Sequence, residues 1–279
     1  MSSLYQPRLI TLDQVRQHRR HTSAKTEDNA LLKSLIQDAS EWFIAQIGRT
    51  PMPWIQTRLY DFRGREMRNG RELNTGEDLL IISTLTNGDS TVIASSDYVL
   101  DEPNAYPKRK IRLKLSGGII WTYTDDPEHA ISVAGTWGYV PQWDNAWKIK
   151  TDTDGTGTAT VTTITVSDGA TIEHGDYIRI GTEFIFVESI ATNVLTVERG
   201  VLGSTAASYV DAVDVEQFQQ LRDIRGAVME VVAYNYKAKD AVGGRVKVFE
   251  GGTAVSVEEL PPSVMQTVKR HAKPNWMVA

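Results

Sequence analysis

The chain contains no cysteine, which removes disulfides, thiolate zinc sites and a cysteine nucleophile together. No stretch approaches the roughly 20 consecutive apolar residues that a bilayer-spanning helix needs. Residues 1–10 lack a basic segment followed by an apolar core, so no secretory signal is expected and assembly in a cytoplasm is favoured. The Gly-Lys-Ser/Thr core of a phosphate loop is missing, and so is a Gly-x-Ser-x-Gly nucleophile elbow. Histidine is sparse at five residues, and only His18 and His21 stand one helical turn apart. With no third ligand near them in sequence, they are expected at the surface of a helix end rather than on a metal.

What is present fits a globular protein. A chain of 279 residues, 41% hydrophobic and 23% charged, suits one large domain or two modest ones. Its net charge of −5 is unevenly spread: residues 151–216 carry eleven acids and two bases, which leaves +4 for the remainder. Both ends are basic, through Arg8, Arg16, Arg19, Arg20 and Lys25 at one and Lys269, Arg270 and Lys273 at the other. Such runs suit solvated tails or segments that dock on an acidic partner.

The hydrophobic period changes along the chain. Thr11 opens a short helix that is expected to end near Arg19. Leu31, Leu32, Leu35, Ile36, Ala39, Trp42, Phe43 and Ile47 then fall on one helical face, closed by Gly48 with Pro51 and Pro53 beyond. From Trp54 to Tyr139 the pattern is that of short strands, with an Asn87-Gly88 hairpin turn of the type I′ kind and an exposed loop or hairpin tip over 63–72. Further strands are expected at 98–100, 111–115, 119–123 and 131–139. Residues 151–215, rich in Thr, Val, Ile, Gly and Asp with a period of two, predict an inserted acidic all-β module beginning in a flexible 152–157 linker. A long helix over about 215–239, a short strand or loop at 245–250 and a last helix over 263–271 complete the chain. The expected fold class is therefore α+β. A helical body of residues 1–150 and 216–279, discontinuous and carrying short strands and hairpins, holds the 151–215 module as an insertion.

Few residues suggest chemistry. Asp152-x-Asp154-Gly155 resembles the start of a calcium loop, but Thr163 stands where the bidentate Glu belongs. Asp125, Asp126 and Glu128 flank Pro127 as a turn would, although paired carboxylates also serve glycoside hydrolysis. Trp137, Tyr139, Trp143 and Trp147 suit a packed corner against the long helix, or a platform that stacks a sugar or base. No catalytic, cofactor-binding or metal residues are expected, and the chain is not expected to be an enzyme.

The order of parts carries a resemblance. Thr11-Leu12-Asp13-Gln14-Val15 comes first, then Glu27-Asp28-Asn29-Ala30-Leu31-Leu32 running to Trp42 and Gly48-Arg49. Thr57-Arg58-Leu59-Tyr60, Tyr98-Val99-Leu100-Asp101, Val133-Ala134-Gly135-Thr136-Trp137-Gly138-Tyr139 and a closing helix over 224–236 complete the series. Together, over about 9–147 and 215–273, they resemble the head–tail connector (adaptor, or head-completion) family of tailed bacteriophages. The stretch from Thr196 to Ala207 is similar to small β modules of phage structural proteins.

The resemblance implies a non-enzymatic virion protein of the phage neck, assembled in the host cytoplasm, with no cofactor and no membrane partner. It implies a homo-oligomeric ring, usually of twelve copies, beneath the portal protein. The ring extends the DNA channel used in genome packaging and ejection, and gives a platform to the next neck, stopper or tail protein. Double-stranded DNA passes through without specific binding. Portal docking then falls to the C-terminal segment from Leu260 to Trp276, with Val264, Val268 and Trp276 as anchors and Lys269, Arg270 and Lys273 as steering charges. Two other expectations stay open: a neighbouring neck or tail-completion protein, and, from a different class, a carbohydrate- or receptor-binding β module.

Overall fold

The structure, a computed structural model, describes residues 7–18, 27–63, 67–238, 247–248, 254–255 and 260–274. By compactness the chain divides into two units. One comprises Met1–Gly48, Lys148–Val201 and Ala206–Ala272; the other comprises Arg49–Trp147, Leu202–Thr205 and Lys273–Ala279. The helices thus share a unit with most of the 151–215 stretch.

The 49–147 unit is built on an antiparallel sheet of six strands: β1 (Trp54–Tyr60), β2 (Met67–Arg68), β3 (Glu72–Thr86), β4 (Tyr98–Asp101), β5 (Lys108–Leu113) and β6 (Ile131–Trp137). The order is β1-β6-β3-β5-β4, with β2 paired to β3. Alternation explains the core, since Ile131, Val133 and Trp137 of β6 turn inward onto Tyr60, Leu73, Leu79, Leu85 and Ile111. Burying such side chains contributes about 1.5–3 kcal/mol each. Gly135 also lies on the buried side of β6, where a Cβ would collide with the Ile81 carbonyl oxygen. Residues 63–72, expected as an exposed loop or hairpin tip, contain β2 and the 69–71 turn that pairs it with β3; the register of β3 with β5 shifts between Asn74 and Leu79 around Gly76 at φ 63°.

Two local expectations change here. The 87–91 turn does join the β3 end to 92–93, but the residue with positive φ is Ser90 rather than Gly88. Asn87 is buried because its amide is used elsewhere: Oδ1 accepts from Gly88 and Thr122 N–H, and Nδ2 donates to Ile120 O at 2.9 Å. Those bonds, with Arg71 donating to Ile119 O at 3.1 Å, hold 119–122 as irregular chain in place of the expected strand.

In the other unit β7 (Trp147–Asp152, whose Trp147 belongs to the 49–147 unit), β8 (Thr163–Thr165), β9 (Tyr177–Ile180), β10 (Glu183–Ala191), β11 (Val194–Glu198) and β12 (Asp214–Phe218) form a second antiparallel sheet. Their order is β7-β12-β9-β10-β11-β8. The two outer strands then meet: Thr153 bridges Val166, Asp154 N–H donates to Thr165 O at 2.9 Å and Ser167 N–H to Asp152 O at 3.0 Å. The sheet is therefore a closed barrel, filled by Ile164, Val166, Ile178, Ile180, Ile185, Val187, Leu195, Val197 and Val215. Residues 152–154, expected as linker, are part of its seam.

Four helices accompany the barrel: α1 (Leu12–His18), α2 (Asn29–Ile47), α3 (Arg222–Ala238) and α4 (Pro262–His271). The first three pack on one another, and α4 packs on α2 and α3. Thr11 and Gln14 form a reciprocal capping box that starts α1. Gly48, at φ 66°, ends α2 by donating to Ile44 O at 3.0 Å. The Tyr236 hydroxyl donates to Asp28, tying α3 to the start of α2. A two-strand ladder of β13 (Lys247–Val248) and β14 (Ala254–Val255) lies between α3 and α4 in sequence.

The expected fold class is corrected. The chain is mostly β, with two antiparallel sheets and only four helices of 7, 19, 17 and 10 residues among the described residues, not a helical body with strands attached. The expected α3 start at 215 is also wrong, because 214–218 completes the barrel as β12 and the helix begins seven residues later at Arg222. Val215, Gln217 and Phe218 satisfy both periods over so short a span, and pairing of β12 with β9 decides for strand.

Candidate functional site

The C-terminal helix divides the expected docking residues between two surfaces. Pro261 and Pro262 start α4 at the position where a missing N–H is harmless. Val264 (0% exposed) and Val268 (6%), four residues apart, face the chain's own helices, and His271 (6%) lies on the same side. These two valines are therefore internal anchors of α4 rather than surface anchors. Asp223, in the first turn of α3, accepts from His271 Nε2 at 2.6 Å and from Arg270 Nη1 at 3.3 Å. Burial works to raise Asp223, but these partners and the Ile224 N–H outweigh it and hold the carboxyl below its ordinary range. Ser263 adds a bond from its hydroxyl to Glu230 at 2.8 Å.

The outward face of α4 carries Met265, Gln266, Lys269 and Arg270. The sequence alone does not draw attention to Met265, which lies about 100° around the helix from Val264 and is 38% exposed. Leu260 is half-buried before the helix. Lys273 donates to Glu77 Oε1 at 3.1 Å and is occupied by that carboxylate. Trp276 lies outside the described residues, as do His21 and the basic residues Arg19, Arg20 and Lys25.

Glu77 borders a cleft. Arg49, Thr50, Trp54, Gln56, Arg58, Glu77, Asp78, Trp137 and Gly138 enclose about 250 Å³. At its back Arg49 and Asp78 form a buried ion pair at 2.6 Å, and the Arg49 guanidinium also lies 4.0 Å from the Tyr139 ring centre. Burial raises Asp78 above the ordinary carboxylate range against the opposing pull of Arg49. In front, Arg58 stacks 4.8 Å from the Trp137 ring centre and lies 3.6 Å from Glu77. Trp137 is 2% exposed and its indole donates to Gln56 O at 3.1 Å; Trp143 is buried too. Trp137 and Trp143 are thus packing rather than a stacking platform, and Trp137 packs in the sheet's core cluster, where the sequence suggested the long helix.

The barrel holds the most buried charge pair outside that cleft. Arg199 forks onto Glu183 at 2.7 and 2.6 Å, and donates further to Thr158, Val161 and Ala207 carbonyls. Glu183 in return accepts from the backbone N–H groups of Gly200 and Ala207. One ion pair therefore shapes the 199–207 loop, which explains the Arg-Gly pattern visible in the sequence. Elsewhere in this unit Glu173 accepts from Thr11 Oγ1 at 2.7 Å and Gln14 Nε2 at 3.0 Å, and His174 pairs with Asp13 at 2.8 Å, so α1 is clamped to the 173–176 turn.

The remaining sequence candidates separate. Asp154 is exposed at the barrel seam, and Gly155 N–H donates to Asp211 at 2.7 Å. Asp126 accepts from Glu128 N–H in an exposed turn, with the two carboxyls shifted in opposite directions by their mutual hydrogen bond. His18 is exposed at the end of α1. Among the described residues no group of three or more His, Asp or Glu could hold a metal ion, and no helix is long and apolar enough to cross a membrane. No family model matches the chain, and no curated protein matches it.

Proposed function

We propose that this protein is a structural component of a tailed-phage neck: an adaptor that forms a homo-oligomeric ring, of about twelve copies, beneath the portal. The observation that carries the reading is the helical cluster drawn from both ends of the sequence, with α4 docked on α2 and α3 and offering Lys269 and Arg270 outward. The ordered motifs that resemble the connector family fall mainly on α1, α2, β1, β6 and α3. The reading does not need a helical body. It needs a rigid chain with a projecting C-terminal segment, repeated around an axis.

Ring closure supplies the physical logic. A head-to-tail contact between identical copies closes only if its rotation divides the circle, and every closed copy then presents the same segment to the portal. Many weak copies of one contact give avidity far beyond any single one. The burial of Val264 and Val268 shifts the docking role to the outward face of α4 and to the residues C-terminal of the helix.

Electron microscopy of the purified protein, alone and with the portal, tests this. Closed rings that stack on the portal are expected; a strictly monomeric protein that leaves the portal bare overturns the reading. Cross-linking within the particle separates the adaptor from a neighbouring neck or tail-completion component, because only the adaptor contacts the portal directly.

A further inference from the structure

Strand β1 sets Trp54, Gln56 and Arg58 on one side by alternation, and Trp137 of β6 stands opposite Trp54 in register. These neighbours fix one guanidinium. Trp137 covers a face of Arg58 at 4.8 Å and is itself held, because its indole donates to Gln56 O at 3.1 Å. The Gln56 side-chain oxygen, placed by its hydrogen bonds, accepts from Arg58 Nε at 2.9 Å and Nη2 at 2.7 Å. Those donors make up one edge of the planar fork. The other edge, formed by Nη1 and the second N–H of Nη2, has no bonded acceptor among the described residues. Glu77 lies 3.6 Å from Nη1, near enough to pair charges and too far for a hydrogen bond.

The cleft that this edge borders is short of negative charge. Of its lining residues only Glu77 and Asp78 are acidic. Asp78 meets Arg49 at 2.6 Å, and Glu77 serves Arg58 and Lys273 together. Two cations on one carboxylate leave one positive charge unmatched. All of these residues fall in the unit that contains 49–147. Arg58 is 32% exposed, so its open edge can be reached. The space of about 250 Å³ lies below the roughly 300–1,000 Å³ of drug-sized ligand sites, which suits a group the size of a side chain rather than a nucleotide.

We propose that the cleft binds a single carboxylate group, whose two oxygens lie against Nη1 and Nη2 of Arg58. Both partners are flat, so two parallel charge-assisted hydrogen bonds form at once. One negative charge balances the Arg58, Lys273 and Glu77 set, whereas a phosphate dianion overfills it beside Glu77. The carboxylate comes from a free organic acid or from an Asp or Glu side chain of another polypeptide. The site does not depend on the adaptor reading.

Protein carrying isotope-labelled tryptophan is titrated at neutral pH with sodium propionate and, separately, with the capped peptide acetyl-Ala-Glu-Ala-amide, chloride holding the ionic strength constant. The Trp54 indole signal, assigned through Trp54→Phe, is expected to shift saturably with a Kd on the order of 1–10 mM. Saturation by propionate alone identifies a free acid as the source; saturation by the peptide identifies an acidic side chain. Arg58→Lys keeps the charge but loses the fork, and is expected to weaken binding about tenfold. Glu77→Gln removes the competing carboxylate and is expected to tighten it several-fold. Inorganic phosphate is expected to bind more weakly than propionate. Shifts that stay linear with both probes, an affinity unchanged by Arg58→Lys or by Glu77→Gln, or tighter binding of phosphate overturns the proposal. No portal or ring enters the test, so its failure leaves the ring reading untouched.

Discussion

A single carboxylate in the barrel turn makes stability depend on pH in an uncommon direction. Asp176 is 4% exposed and accepts from Glu173 N–H at 2.6 Å and from Gln217 Nε2 at 2.5 Å. Burial pushes its pKa up to about 7, against the bonds that favour the charged form. Between the ordinary carboxylate value of 3.8 and about 7, the folded protein holds a proton that the unfolded chain has released. Folding stability from this group therefore falls as pH rises through that window and stays low above it. Asp176→Asn retains an oxygen for both donors and does not titrate. The variant is expected to match wild type near pH 4 and to exceed it at pH 8 by roughly 1–4 kcal/mol, from about 1.36 kcal/mol per pKa unit. Urea unfolding at the two pH values checks this, and an equal difference at both would refute it.

At the scale of elements, the 199–207 loop depends on Glu183 and Arg199, whose side chains are 2% and 7% exposed. Removing one partner strands the other charge in a dry site, so Arg199→Ala is expected to destabilise the barrel by about 3–5 kcal/mol. Denaturant unfolding should register that loss together with faster amide exchange at Gly200 and Ala207, which rely on the Glu183 carboxylate. A neutral effect would mean that the loop holds its shape by backbone bonds alone. The sequence displays the Arg-Gly pattern but not its partner, sixteen residues away across β10 and β11. The available hint is an acid, Glu183, opening a strand of Phe, Ile and Val.

Other elements are legible in proportion to their length. The face of α2 repeats over 19 residues and ends on a glycine, which leaves little room for a different structure. The strands of the barrel alternate clearly, so a β module is readable there. Its closure is not, because the seam at Thr153 and Val166 is made by residues with no distinctive pattern. The extent of α4 is close to expectation, but which partners its valines meet depends on the placement of α2 and α3, and no local spacing encodes that. The cleft around Arg58 combines residues from 49 to 138, joined only by sheet register.

For the molecule as a whole, charge bears on the proposed conduit. A net charge of −5, with eleven acids against two bases in residues 151–216, disfavours retention on phosphate backbones. The assembled protein is expected to leave duplex DNA unshifted in a gel assay at about 0.15 M salt, the physiological ionic strength at which screening is ordinary. Saturable binding under those conditions would argue against a passage through which a genome must slide.

The meeting of β7 with β8 has one more effect. An open sheet ends in unpaired amides and carbonyls, an invitation for the corresponding strand of another molecule. In the barrel those groups are spent internally along the seam, whereas β1 and β4 remain the outer strands of the other sheet. Crowding many identical chains together thus leaves the cylindrical part chemically mute toward its siblings, and fibril-like misassembly has to begin somewhere else.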